Sequence, residues 1–396
     1  MAFRTLKDAD PAGRRALVRV DFNVPMDGGR VSDDTRLRAA LPTIRALVKA
    51  RARVVLLSHF DRPKGKQVPA MSLKPLTEPL AALLGQPVAF ADDCIGTEAA
   101  AVIDALKPGE VALLENLRFH AGEEANDPAF VADLAAGGDL YVNDAFSAAH
   151  RAHASTEGLA RVLPAYAGES MRAELEALEA ALGSPKRPVL GIVGGSKVST
   201  KLDLLNNLVG RLDRLAIGGG MANTFLAAQG HDVGASMCEH DLGETAREIM
   251  RSAEKTGCEL LLPVDVVTAE TVAAGVPHQV RDLGDVQPGD RILDAGPRTI
   301  ERLLAAMSAS QTLIWNGPLG VFEVPPFDAA TVAAARYAAN LATGGQLIAV
   351  AGGGDTVSAL NHAGVAGDFT FVSTAGGAFL EWMEGKSLPG VAALST

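Results

Sequence analysis

Nine short apolar runs recur along this chain, separated by segments of helical period. They are Ala16–Val20, Val54–Leu57, Val111–Leu114, Leu140–Val142, Val189–Val193, Leu215–Ile217, Leu260–Leu262, Leu313–Trp315 and Leu347–Val350. Continuous apolar strands alternating with helices indicate βα units, whose parallel sheets are covered on both faces. The chain therefore reads as α/β. Each run passes at once into polar, charged or glycine-rich residues. Val20 leads into Asp21-Phe22-Asn23, Leu57 into Ser58-His59-Phe60-Asp61-Arg62, and Val193 into Gly194-Gly195-Ser196-Lys197. Ligands of open α/β sheets bind outside the carboxyl ends of the strands, and the chemistry-bearing residues stand there.

A length of 396 residues exceeds what one hydrophobic core usually serves, so two domains are expected. The halves carry different chemistry: Arg19, Arg36, His59, Arg62, Arg118 and Arg151 in the first, glycine clusters with Lys197 and Lys201 in the second. Between them Met171, Leu175, Leu178 and Leu182 fall on one helical face, and Gly183-Ser184-Pro185 stops the pattern. The expected architecture is two doubly wound, Rossmann-like parallel-sheet domains, residues 1–168 and 184–387, joined by an interdomain helix at 169–183. Period alone also allows an ordinary surface helix.

The net charge of −11 lies in no long block of one sign, which argues against a nucleic-acid surface. An anionic ligand then needs a local basic pocket. Cys94, Cys238 and Cys258 are widely spaced and form no C-x-x-C pair, which fits a reducing compartment. Met1 to Asp10 contains no apolar signal core, and no run approaches the ~18–20 residues that span a bilayer. A cytoplasmic protein without membrane or nucleic-acid partners is expected.

Glycine-rich turns after strands expose backbone N–H groups to anions. Gly194–Lys201, Gly218–Gly220, Gly352–Thr356 and Gly376–Gly377 are of this kind. A single such turn is commonly a plain connection; four in one half point to a phosphorylated ligand. Neither a Walker A sequence nor G-x-G-x-x-G is present, which disfavours P-loop kinases and dinucleotide-dependent dehydrogenases. Lys197 and Lys201, four apart where a helix should begin, are expected to face one way; the alternative is two solvated lysines. The arginines of the first half read as a bidentate grip on carboxylate and phosphate, while Asp21 and Asp61 could instead pair with them structurally. His150-Arg151-Ala152-His153 lacks a third ligand at a metal-binding spacing, so locally hydrogen-bonded histidines are expected. Glu323 and Asp355 stand beside glycine turns, where an acid serves ribose or metal, or caps a helix.

Together these motifs resemble the phosphoglycerate kinase family. Arg19-Val20-Asp21-Phe22-Asn23-Val24-Pro25, Leu114-Glu115-Asn116-Leu117-Arg118-Phe119 and His150-Arg151-Ala152-His153 resemble its substrate-domain signatures. Gly194-Gly195-Ser196-Lys197-Val198-Ser199-Thr200-Lys201, Trp315-Asn316-Gly317-Pro318-Leu319-Gly320-Val321-Phe322-Glu323 and Gly352-Gly353-Gly354-Asp355-Thr356 resemble its nucleotide-domain signatures, in the family's order. The resemblance implies a bacterial-type enzyme of glycolysis and gluconeogenesis that transfers a phosphoryl group between 1,3-bisphosphoglycerate and ADP. Asp21, Phe22, Asn23, Arg36, His59, Phe60, Asp61, Arg62, Arg118 and Arg151 would hold 3-phosphoglycerate. Arg36 and Lys197 would be catalytic, acting on the transferred phosphoryl. Gly195, Ser196, Lys201, Asn316, Glu323, Gly353, Gly354, Asp355 and Thr356 would bind ATP or ADP, with Asp355 on Mg2+ and Gly376 and Gly377 as a phosphate nest. The resemblance also implies a monomer, and a C-terminal segment, 388–396, that completes the first domain.

Three stretches depart from the family pattern. His59-Phe60-Asp61-Arg62-Pro63 has a carboxylate where glycine is usual, Ala145-Phe146-Ser147-Ala148-Ala149-His150 has Ser147 and Ala148 where glycine and threonine are usual, and Ser373-Thr374-Ala375-Gly376-Gly377 has one glycine fewer. The acceptor carboxylate, with a typical pKa of about 4, needs no general base. In-line transfer on domain closure, driven by positioning and charge neutralisation, is therefore expected. A non-catalytic nucleotide-dependent regulator on the same scaffold is the rival reading, and an NAD-dependent oxidoreductase a weaker one.

Overall fold

The computed structural model describes residues 3–395, which divide into two compact units, 3–175 with 387–395, and Glu176–Lys386. The first unit is built on a six-stranded sheet. Its strands lie in the order Val88–Ala91, Val111–Leu114, Arg53–Leu57, Arg15–Arg19, Leu140–Asn143, Ala165–Ala167, and every neighbouring pair is parallel. Alternate residues point to opposite faces of a strand. Ala16, Val18, Val54, Leu56, Val111, Leu113, Leu140 and Val142 accordingly share one core with Leu37, Ile44 and Leu47 of helix Thr35–Lys49. Truncating a fully buried side chain such as Ile44 to alanine removes about 2–5 kcal/mol of stability. The C-terminal helix Pro389–Ala392 belongs to this unit, where the Gly390 N–H donates to Ala149 O at 2.8 Å.

The second unit repeats the plan with a different strand order. Glu259–Leu261, Arg214–Ile217, Val189–Val193, Thr312–Asn316, Ile348–Gly352 and Phe371–Ser373 lie side by side, again all parallel. Leu190, Ile192, Leu313, Trp315, Ala349 and Ala351 form its sheet core. Helix Ala329–Thr343 meets them through Ala330, Ala334, Ala335, Ala338 and Ala339, whose small side chains let the helix pack closely. A three-stranded antiparallel sheet, with Asp265–Ala269 between Gln279–Asp282 and Arg291–Ala295, stands beside it.

All nine apolar runs are strands, so both parallel sheets are as the sequence predicts. The period missed Val88–Ala91, Ala165–Ala167, Phe371–Ser373 and the antiparallel sheet. The Met171–Leu182 face is buried, in a helix Glu169–Leu178 that ends in a π-helical turn, Glu179–Gly183. Its start is held from the first unit: Asp144 Oδ1 accepts from Ser170 N at 2.8 Å and Met171 N at 3.2 Å, and Thr43 Oγ1 accepts from Glu169 N. Burial pushes the Asp144 carboxyl up to about 7. Among the described residues no helix is long and apolar enough to cross a membrane.

Candidate functional site

In the first unit the predicted residues gather at the carboxyl ends of adjacent strands. Arg19, the last residue of its strand, is buried to 1% exposure. Its guanidinium donates from Nε to Ser155 Oγ at 2.8 Å and from Nη1 to Val20 O, and Nη2 meets His59 Nδ1 at 3.0 Å. Arginine has no acceptor, so Nδ1 of His59 must accept, and the ring's proton sits on Nε2. Burial, then the charges of Arg19, Arg118 and Arg36, hold the His59 pKa well below its ordinary value. Burial, then the charges of Arg118, Arg19 and Arg151, lower His153 to about 4. Both rings are thus neutral donors or acceptors at neutral pH.

The buried counter-charge is Glu123, which takes hydrogen bonds from Ser155 N at 3.0 Å and Ser155 Oγ at 2.6 Å. Ser155 therefore bridges Arg19 to Glu123. A guanidinium this deep would otherwise cost several kcal/mol in desolvation. Arg36 donates to Asp21 Oδ2 at 2.8 Å and to Asn23 O at 3.0 Å, and Ser147 Oγ donates to the same Asp21 oxygen. Asp21 therefore orients Arg36, the structural pairing that the sequence left open, and Ser147, a departure from the family pattern, supports it.

Asp61 has φ +53°, a left-handed conformation that aspartate tolerates better than most residues. That explains how it fills a glycine position. Its backbone closes the turn, with Asp61 N donating to Asn23 Oδ1 at 2.9 Å and Asp61 O accepting from Arg118 Nη1 at 2.8 Å. Arg118 is itself buried, and its Nε has no hydrogen-bond partner although Glu124 Oε1 lies 3.3 Å away. The N–O distance satisfies an ion pair, and the Nε atom itself is buried. Arg62 and Arg151 are exposed, Arg151 donating to His150 Nε2. Phe22 is fully buried and its N–H donates to Ser58 Oγ, so it anchors the loop rather than presenting a side chain.

In the second unit backbone does most of the work. The turns after Val189–Val193 and Thr312–Asn316 interlock so tightly that a Cβ on Gly194 would lie 1.8 Å from Pro318 O. Lys201 is wrapped by oxygens: Nζ donates to Gly194 O at 2.6 Å, Asn316 O at 3.1 Å and Asn316 Oδ1 at 2.6 Å. Burial lowers its pKa to about 8, with Asp355 acting the other way. The helix begins at Leu202, after both lysines, and Val198–Thr200 is a separate tight turn. The expectation that Lys197 and Lys201 share a helix face is thus corrected: Lys201 folds back onto the strand ends, and Lys197 is exposed.

A cavity of about 300 Å³ opens beside these turns. Gly195, Ser196, Gly219, Gly220, Glu323 and Asp355 contribute to its wall, together with Met237, Leu293, Leu319 and Phe322. Glu323, Gly354 and Asp355 are exposed, and Asp355 lies in the first turn of helix Gly354–His362. Asn316 Nδ2 donates to Gly352 O and Thr356 Oγ1 accepts from Gly317 N, which ties adjacent turns together. Gly353, at φ +97°, precedes that helix, and Gly376, at φ +55°, precedes helix Gly377–Met383. Asn223, Arg291 and Asp294 also line the cavity, and sequence reasoning missed them: Asn223 lies inside the helix that follows its glycine turn, and Arg291 and Asp294 lie within a strand of the antiparallel sheet. Arg19 was legible as a strand-end arginine, but its partners Ser155 and Glu123 were not.

The sequence profile described as phosphoglycerate kinase matches residues 6–386. A phosphoglycerate kinase of Caulobacter vibrioides (strain NA1000 / CB15N) is 74% identical over 396 residues, covering 100% of both chains. One from Zymomonas mobilis subsp. mobilis is 63% identical over 395 residues, again covering 100% of both. The solved structure of phosphoglycerate kinase from Coxiella burnetii superposes with a TM-score of 0.94 at 39% identity, covering 99% of each chain.

Proposed function

The chain belongs to the phosphoglycerate kinase family, and from that premise we propose how its two clusters share a phosphoryl transfer between 1,3-bisphosphoglycerate and ADP. The enzyme is a phosphotransferase whose acceptor, in the ATP-consuming direction, is a carboxyl group. The 3-phosphoglycerate carboxylate attacks the terminal phosphorus of ATP in line, the new C(O)O–P bond forms, and the bond to ADP breaks. A carboxylate is already ionised at neutral pH, so no base need remove a proton. The neutral state of His59 and His153 suits this reading, since neither is poised to take one.

The observation that carries the proposal is the segregation of anion-binding groups. The first unit offers Arg36, Arg62, Arg118, Arg151 and the His59 Nε2–H to a small phosphorylated acid. Asp21, Phe22, Asn23, Phe60 and Asp61 hold that cradle in shape. The second unit offers the amides of Gly195, Ser196, Gly353, Gly354 and Thr356, with Gly376 and Gly377, to nucleotide phosphates. Lys201 would exchange its carbonyl oxygens for phosphate oxygens, and Asn316 would hold the cage it leaves. Glu323, exposed on the cavity wall, suits ribose hydroxyls. Asp355 is a hard oxygen donor at the same wall and fits Mg2+, an ion usually held by one or two carboxylates plus phosphates. Bound there, Mg2+ would neutralise phosphate charge. Arg36 and Lys197 would neutralise the transferring group. Reacting atoms must come within about 3–3.5 Å, so closure of the units on their two ligands is part of the proposal.

A place in glycolysis and gluconeogenesis as a cytoplasmic monomer follows the same reading, and the three free thiols fit a reducing compartment. ATP formation from ADP and 1,3-bisphosphoglycerate, measured by coupled assay with and without Mg2+, tests it. Turnover that needs both substrates and the ion is expected; nucleotide binding without turnover would instead indicate a regulator.

A further inference from the structure

The loop after edge strand Val88–Ala91 approaches the end of the turn Leu117–Phe119 and brings Asp93, Cys94 and His120 together. Their carboxylate oxygen, thiol sulfur and imidazole nitrogen all lie within 4.8 Å of one another. Among the described residues, no other three histidine, cysteine or acidic side chains meet this way. We propose that Asp93, Cys94 and His120 form a binding site for a zinc-class transition-metal ion, separate from the magnesium of the reaction.

The donor set is the first argument. One sulfur, one nitrogen and one oxygen suit a borderline ion such as Zn2+ and suit Mg2+ poorly. Three protein ligands leave a fourth tetrahedral position for water. Preorganisation is the second. Asp93 Oδ1 accepts the Cys94 N–H at 2.6 Å, which fixes the carboxylate against the thiol's own backbone. His120 Nε2 lies 2.7 Å from the same oxygen, and its ring stacks on Phe130 with centroids 5.2 Å apart. Shelter is the third. Cys94 is 3% exposed and borders a cleft that Ile95, Leu114 and Leu134 line together with Arg15, Asp104 and Asp133, while Asp93 and His120 are half-buried. Binding would draw the sulfur toward the other two donors and part the Asp93–His120 contact by about half an ångström, given tetrahedral metal–ligand distances of about 2.0–2.3 Å. The thiol proton leaves to solvent and the imidazole binds through its neutral lone pair. The ion would then tie an edge-strand loop to the turn that carries Arg118.

The competing account is purely structural: Asp93 caps its loop and pairs with His120, and no ion enters. Titrating the chelator-treated full chain with Co2+ and Zn2+, in the absence of nucleotide, separates the two. One equivalent of Co2+ giving a near-ultraviolet thiolate-to-cobalt band, displaced by Zn2+, is expected, together with a Tm that rises with Zn2+. Cys94→Ser should abolish the band. Asp93→Asn keeps an oxygen for the Cys94 N–H, so it should fold normally yet bind Zn2+ at least about tenfold more weakly. No band with the wild-type chain, or the same band and affinity in Cys94→Ser, would overturn the site.

Discussion

The two units solve one problem, holding an anion, by opposite means. The first uses side-chain charge: Arg19 at a strand end, Arg36 in the first turn of helix Thr35–Lys49 and Arg118 in the turn Leu117–Phe119 are each held by hydrogen bonds before any ligand arrives. The second uses backbone: glycine turns pack against one another, and its best-buried cation, Lys201, is sequestered by carbonyl oxygens. Fixed arginines cost desolvation that Glu123 and Asp21 offset, and they give a rigid, ion-specific grip. Backbone amides need no counter-charge and accept whichever phosphate of a chain lies against them. A small substrate with one carboxylate and one phosphate suits the first arrangement, and a polyphosphate suits the second.

The sharpest break of this comparison is Lys197→Ala. Lys197 is exposed and its one electrostatic neighbour among the described residues is Glu239, so its removal should leave folding and nucleotide KM nearly unchanged while kcat falls by about 10²–10³-fold. Steady-state kinetics with a melting curve checks both halves. A wild-type kcat would place charge neutralisation elsewhere.

How much of this was legible follows the same physics. Central strands such as Val189–Val193 are buried on both faces, and their unbroken apolar runs show it. Three of the strands missed lie at sheet edges: Val88–Ala91 and Phe371–Ser373 are only partly buried, and Ala165–Ala167, though buried, is three residues long. The site residues were legible because they follow strand ends. Their partners were not: Ser155 lies 136 residues from Arg19, and no local pattern encodes that distance. The lysine pair misled because a four-residue spacing means one face only inside a helix, and the helix starts at Leu202, beyond both lysines. At Asp61 the sequence showed a departure, and only the backbone angle supplied its reason.

A reciprocal pair of variants would sharpen the contrast. Gly194→Ala forces a Cβ into Pro318 O and should cost about 1–3 kcal/mol or more in stability. ATP binding by calorimetry should collapse with it, while 3-phosphoglycerate still binds. Arg118→Ala should do the reverse, raising the 3-phosphoglycerate KM by about 10–100-fold, the loss of a charged hydrogen bond or two, with ATP affinity intact. Loss of ATP binding in Arg118→Ala would contradict the division of labour.

The mildest test uses no mutation at first, only pH. Lys201 titrates near 8 in the folded chain, below its ordinary value of 10.5. Between those values the unfolded chain holds more protons, so stability should rise with pH across that window. Nucleotide affinity should move the other way, because phosphates favour the ammonium form that disappears above about pH 8. The KM for ADP is therefore expected to climb by about 3–10-fold between roughly pH 7.5 and 9. The first unit should not respond. Its arginines stay charged throughout, and His59 and His153 are already neutral, their pKa values held down by burial and by those same arginines. The KM for 1,3-bisphosphoglycerate should stay flat over the same range, and Lys201→Arg should flatten the ADP curve at whatever affinity it retains. Equal drift of both KM values, or an ADP curve unchanged in Lys201→Arg, would mean that the caged lysine does not set the difference between the two grips.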